Sequence, residues 1–437
     1  GCLAWLVTDD RFLHMVTLLE MLASNLCEAK QIYLALWSLG KIGVVSDSVT
    51  SILRSVAANL HAPVLANFTA HELSIVLWSI AKLQETNRDG RGFIEKIAFL
   101  VVGESWQRLH SFSAQCFANS LWALAKLDLK SLALDDFAQQ CLERASCPQQ
   151  LSHFSTQGLA NGIWACARLR LRTETVHAFC LAVVQEASEE RLDHFAPQEL
   201  SMTLWGIARI VKGYSQPLSS GVSQKRCLEQ FALAIAYAAR RRIEMLDPQG
   251  LSNIAWALGA LRLMHHDGAK HFLLAAASCA VGSLHKYSPQ AISNLCWALF
   301  RLRDAEKEEV VATFTVRVVW QVMAQMPEFD GKDLASIISA MSWLPSQEVR
   351  MLATAVAEYA GMSEKDIHTQ ALLNIALAGT RLQVAWDSMW PLLLRISGVF
   401  TCPRSGPFNE IDCKQWHEIS NHYSFDASLA ANNEFCR

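Results

Sequence analysis

The hydrophobic pattern of the chain is a succession of helices, each apolar around most of its circumference and interrupted by polar residues at the same offsets. The segment SPQAISNLCWALFRL, starting at residue 288, matches DPQGLSNIAWALGAL, starting at 247. Aligned on the tryptophan, the series runs QIYLALWSLGKI (Trp37), ELSIVLWSIAKL (Trp78), CFANSLWALAKL (Trp122), GLANGIWACARL (Trp164) and ELSMTLWGIARI (Trp205), followed by the two segments above (Trp256 and Trp297). Two weaker copies follow, DLASIISAMSWL and ALLNIALAGTRL, with Ser339 and Leu377 in the Trp place. Successive Trp residues lie 41, 44, 42, 41, 51 and 41 positions apart, a repeat length typical of stacked helical arrays. No segment alternates convincingly with period two, so no strands are expected.

Each unit opens on a helix-start signal. Thr69, Ser113, Ser155, Asp247 and Ser288 are capping residues, and Pro248 and Pro289 occupy first-turn positions that lack a hydrogen-bond partner anyway. The residue before the cap and the fifth one after it are apolar. Phe68 with Leu73, Phe112 with Phe117, Phe154 with Leu159, Phe195 with Leu200, Tyr287 with Ile292 and Phe329 with Leu334 therefore read as hydrophobic staples. A short polar turn and a second amphipathic helix complete the unit, as in DDFAQQCLERASC. Such a hairpin cannot bury its apolar faces alone. The predicted fold is all-α, an α-solenoid of about nine stacked αα-hairpin repeats of about 41 residues. The expected organisation is a worn or truncated helical repeat over 1–25, the solenoid over 26–395 with a Gly, Ser and Pro-rich loop insertion at 211–225, and a tail of unknown structure over 396–437.

A stacked array overrides the prior of about three globular domains for this length, because its contacts run only between neighbours. A net charge of -3 and a pI near 6.6 exclude a global basic footprint, so any polyanion site must be local. Thirteen cysteines, placed mostly inside helices as Cys116, Cys166, Cys279 and Cys296 are, suit a reducing compartment. The longest apolar run, within residues 272–284, is too short to span a bilayer. The opening GCLAWLVTDD lacks an initiator Met and reads as the start of a fragment.

The chemistry lies in one stripe. At about 100° per residue, positions seven before, three before and four after the Trp fall within roughly 60° of it. Seven before stand Lys30, His71, Gln115, Gln157, Gln198, Gln249, Gln290, Lys332 and Gln370; three before, Asn119, Asn161, Asn253, Asn294 and Asn374. Four after come Lys41, Lys82, Lys126, Arg168, Arg209, Arg301 and Arg381, with Ala260 and Trp343 as exceptions. Each has a structural reading: Gln satisfies free backbone donors, Lys and Arg complement the helix dipole, and Trp is most simply a knob between hairpins. Repetition favours function for the cations, since one per unit draws a line of positive charge such as a phosphate backbone meets. Amides beside that line suit the bases of an unpaired strand. Any sequence discrimination falls to variable positions such as that six after the Trp: Gly43, Gln84, Asp128, Arg170, Val211, Arg262, Arg303 and Gln383.

On the Trp-centred segments over roughly residues 26–395, the chain resembles octotricopeptide-type repeats. It is similar also to related helical repeats of apicomplexan and dinoflagellate organelle proteins and of kinetoplastid RNA-editing substrate-binding complex proteins. The resemblance implies a non-enzymatic mitochondrial or chloroplast protein that binds single-stranded organellar mRNA or rRNA. Its role would be in transcript processing, stability, editing or translation, alongside other proteins of an RNA-processing complex or ribosome, without membrane or cofactor. The family unit is often nearer thirty-eight residues, and the nuclease-like domain that ends many members has no counterpart in the last forty residues. No catalytic residue is carried over.

Motifs for catalysis are missing: no Walker-type loop, no GxGxxG after a strand, no HExxH and no CxxC pair. Cys402, Cys413, His417 and His422 are zinc-ligand types, but the gap between the two cysteines departs from usual fingers. The rival to RNA binding is a protein-interaction scaffold of the armadillo, HEAT or tetratricopeptide kind, whose grooves also carry Asn and Arg.

Overall fold

The computed structural model describes residues 9–23, 27–171, 173–213, 221–302, 307–344, 346–401 and 409–425. All regular structure among them is helical. The chain forms two compact units, Gly1–Ile235 and Ala236–Arg437. The first contains α1 (Asp10–Leu22), α2 (Ala29–Ile42), α3 (Asp47–Asn59), α4 (Ala70–Thr86), α5 (Arg91–Gln107), α6 (Ala114–Leu127), α7 (Leu132–Ala145), α8 (Thr156–Leu169), α9 (Glu174–Glu186) and α10 (Pro197–Gly213). The boundary falls inside α11 (Gly221–Arg240). The second unit continues with α12 (Pro248–Ala260), α13 (Asp267–Val281), α14 (Pro289–Leu299), α15 (Glu309–Gln325), α16 (Gly331–Met341), α17 (Gln347–Met362), α18 (Thr369–Arg381), α19 (Trp386–Thr401) and α20 (Glu410–His422).

Helices pack on their sequence neighbours in two layers. In the first unit α2, α4, α6, α8 and α10 lie side by side, each against the next, while α3, α5, α7 and α9 do the same behind them. In the second, α12, α14, α16 and α18 form one layer and α13, α15, α17 and α19 the other. The expected helix starts are present. Thr69 and Glu72 form a reciprocal capping box, with Thr69 N donating to Glu72 Oε2 at 2.8 Å and Glu72 N to Thr69 Oγ1 at 3.2 Å. Ser155 accepts from Gly158 N at 3.0 Å, Asp247 from Gly250 N at 2.6 Å, and Ser288 from Ala291 N at 3.2 Å. All six staple pairs are buried, and the Phe112 and Phe117 rings lie 5.4 Å apart.

Neighbouring helices of one layer meet on small residues. A Cβ placed on Gly259 would lie 2.5 Å from a ring carbon of Trp297, so α12 and α14 approach through a missing side chain. The Ser of the LS and IS pairs serves the same closeness. Ser74, Ser201 and Ser252 are buried and donate to the carbonyls of His71, Gln198 and Gln249 at 2.8, 2.8 and 3.0 Å, which hides each hydroxyl within its own helix.

Successive units are also tied at their turns by long cations that sequence reading missed. Arg108 donates to the carbonyls of Ala66 (2.7 Å) and Phe68, Arg191 to that of Phe154, and Lys365 to that of Pro327. Arg395 holds the carbonyls of Ala360 (2.8 Å), Ser363 (2.7 Å) and Lys365 (2.5 Å). Each satisfies backbone acceptors at a turn that no helix serves.

The expected loop at 211–225 is shorter than its composition suggests: 211–213 end α10, 221–225 begin α11, and 214–220 lie outside the described residues, as does 1–8 at the start. In the tail, residues 402–408 and 426–437 are likewise outside them, whereas α20 packs on α18. Ten cysteines are described and all are free thiols; burial pushes Cys180 up to about 12 and Cys166 well above its ordinary value. No helix among the described residues is long and apolar enough to cross a membrane.

Candidate nucleic-acid interface

Apart from α2, the Trp-bearing helices are buried on every side but one. In α6 the residues not buried are Gln115, Asn119, Trp122 and Lys126, which are the stripe itself. The pattern recurs in α12, where Gln249, Asn253 and Trp256 break the buried surface between Pro248 and Ala260 at its two ends, and in α14 with Pro289, Gln290, Asn294 and Trp297. Gln157 and Gln198 are exposed like the other first-turn glutamines, Gln370 is half-buried, and Asn161 and Asn374 are half-buried like the remaining asparagines. Lys41, Arg168, Arg209, Arg301 and Arg381 are exposed, and Lys82 and Lys126 half-buried.

The tryptophans differ from the buried knob expected of them. Trp78, Trp122, Trp164, Trp205, Trp256 and Trp297 are half-buried, and Trp37 is 39% exposed. Packed helices bring the rings into register across repeats. Trp78 and Trp122 have centroids 6.3 Å apart, and Trp122 and Trp164 are stacked at 6.4 Å. Trp78, Trp122 and Trp164 thus form a ladder of half-buried rings, and aromatic pairs at such separations attract one another.

The cations rest on the indoles. Arg168 lies over Trp164 at 5.9 Å from the ring centroid, Arg209 over Trp205 at 5.7 Å, and Arg301 over Trp297 at 4.2 Å, each one turn beyond its own indole. Lys82 reaches across to Trp122 (5.1 Å), and Arg381 to Trp343 (4.6 Å). Such contacts contribute about 0.5–1 kcal/mol at exposed sites and pre-orient the charge. Lys126 departs from the line: it is ion-paired with Glu85, so its charge is compensated.

The amides are organised too. Gln249 Nε2 donates to Asn253 Oδ1 at 2.9 Å, which shows how positions seven and three before the Trp pair along one helix. Gln370 Nε2 donates to Asn374 Oδ1 at 3.2 Å and to Gln415 Oε1 at 2.8 Å, so α20 extends the stripe by an amide that the sequence pattern did not point to.

The position six after the Trp has a backbone duty. Gly43, Asp128, Arg170, Arg262 and Gln383 all have positive φ, of 76°, 48°, 57°, 60° and 56°, and end their helices in the left-handed conformation. Two of them still add charge. A cleft of about 370 Å³ in the first unit is lined by Arg170, Arg209 and Lys212, and the corresponding cleft in the second by Arg262, Arg301 and Lys270. Each joins a helix-ending arginine of one repeat to the stripe cation of the next. The sequence signal was present in the order Arg-Leu-Arg at 168–170, but the backbone turn that brings Arg170 beside Arg209 was not.

Among the described residues no group of three or more His, Cys, Asp or Glu could hold a metal ion. Cys402 of the sequence-level zinc quartet lies outside the described residues, while His417 Nε2 is 3.0 Å from Asn421 Nδ2. Compared with known families and with curated proteins, the chain matches none.

Proposed function

We propose that this chain is a non-catalytic, single-stranded RNA-binding helical-repeat protein whose two-layered units belong to an α-solenoid of about nine hairpins. One observation carries the reading: the outward strip of α6 and α8 is an amide, an indole and a cation in that order, and it recurs in α14 with Arg301 just beyond and, without its cation, in α12. Guanidinium and ammonium groups meet phosphates, indoles offer stacking faces that accept any base, and amides meet base edges. A duplex would meet a single line of such groups poorly, since its bases are already paired. The setting in mitochondrial or chloroplast transcript metabolism rests on the resemblance of the repeats alone.

Salt dependence tests the reading. Binding to an unstructured RNA should weaken with salt at a log–log slope of about 0.7 per neutralised phosphate. Replacing Arg168 and Arg209 together by Gln should lower that slope by roughly one to one and a half units without loss of helicity. Lys126→Gln should change it less, because Glu85 already compensates that charge. Filter binding at several salt concentrations reads both. An unchanged slope in the double variant removes these residues from the site. No binding at low salt removes the function and leaves the peptide-binding scaffold.

A further inference from the structure

Two repeats lack the Trp, with Ser339 and Leu377 in its place. In the repeat formed by α16, Ser339 stands where the Trp belongs, and the indole appears one turn later as Trp343, 72% exposed. The gap is a cleft of about 420 Å³, within the range of roughly 300–1,000 Å³ typical of small-ligand sites. Trp297 and Trp343 line it, together with Arg301, Ser336, Ser339 and Asn374. Phe300 lines it too, at the offset from its own Trp that Gly259 holds in the preceding repeat. Since Gly259 makes room for Trp297, Phe300 excludes a Trp at 339, and this exchange of large for small opens the cleft.

We propose that this cleft is a slot for one unpaired keto base, uracil or guanine, of the bound strand; the proposal rests on the RNA-binding reading and gives it a point of sequence preference. The slot is bordered by two indoles, each with one face already carrying a guanidinium, Arg301 on Trp297 and Arg381 on Trp343, and such planes are surfaces on which a base stacks. Its polar groups are weighted toward donation. Asn374 Oδ1 already accepts from Gln370 Nε2 (3.2 Å) and Gln415 Nε2 (3.4 Å), which leaves its Nδ2 hydrogens as the amide's remaining capacity. Arg301 donates only and Ser336 brings a hydroxyl, while the Ser339 hydroxyl already donates to the Asn374 carbonyl at 3.5 Å. Donors match the carbonyl oxygens of uracil and guanine better than the exocyclic amines of cytosine and adenine.

The test compares oligouridylate with oligocytidylate, two pyrimidine strands that differ in the keto or amino group at C4, on the full chain. Wild type should prefer oligouridylate by roughly tenfold, the order expected for hydrogen-bond discrimination at one base, since stacking serves both strands alike. The double variant F300A/S339W, which restores the small residue and the indole of the preceding repeat, should abolish the preference while retaining salt-dependent binding of both strands. Trp343→Leu, at an exposed position that does not threaten folding, should do the same in part. Photocrosslinking of 4-thiouridine-containing RNA should map to the segments around Trp297 and Trp343. Equal binding of the two strands by wild type, an unaltered preference in both variants, or crosslinks confined to other repeats would overturn the slot and leave the general reading standing. If wild type binds neither strand at low salt, the general reading fails and the slot with it.

Discussion

Half-burial gives each indole two duties that substitution separates. Trp164 stacks on Trp122, carries Arg168 and shows one edge to solvent. Trp164→Ala should cost about 2 kcal/mol, less than the roughly 3–5 kcal/mol of a fully enclosed aromatic, and should weaken RNA binding several-fold. Urea denaturation and filter binding on the same variant check both; a larger stability loss with unchanged RNA affinity would return the Trp to the core. Asp333 gives a second test at this scale. Burial, and then the neighbouring carboxylate of Asp330, push its carboxyl up from 3.8 to about 6, so folding favours its protonated form. Its contribution to stability is therefore full below about pH 4 and is lost as pH rises through about 6. Asp333→Asn should flatten that part of the pH dependence of Tm and raise Tm near pH 7, as thermal melts at several pH values would reveal.

Several of the Trp-bearing helices begin on a side-chain cap, and several end on left-handed backbone. The starts were legible in the sequence because a cap and a staple are local patterns, and Thr69, Ser155, Asp247 and Ser288 all act as their spacing predicts. The ends were not, since Asp128, Arg170, Arg262 and Gln383 are residues with no special claim to positive φ. Left-handed backbone at such residues costs roughly 1–2 kcal/mol relative to their preferred region, whereas glycine adopts it freely. Arg170→Gly should therefore be neutral to stabilising by up to about 1 kcal/mol, and Gly43→Ala destabilising by about the same amount. Guanidinium melts of the two variants, shifting in opposite directions, would check the pair. The stripe was visible as a list of positions, but periodicity does not say how wide a strip the neighbouring helices leave open. Nor does it place Phe300 beside Ser339, Arg170 beside Arg209, or Gln415 beside Gln370, because those meetings depend on which turns of different helices face each other.

At the scale of the molecule, a chain of net charge -3 repeats a cation one turn beyond the Trp place within each of its two units, Lys41, Lys82, Lys126, Arg168 and Arg209 in the first and Arg301 and Arg381 in the second. The acidic balance elsewhere repels polyanions from the remaining surface, so attraction and address coincide. Of α6, α12 and α14 only a strip the width of a single side chain is left open, because their other faces are committed to packing. A surface so narrow can be matched along its length only by something equally thin, and a globular partner would touch it at one or two rungs and overhang the rest. It also confines innovation. In a saturation mutagenesis library selected for folding alone, these helices should tolerate change as a sparse comb of teeth three and four residues apart.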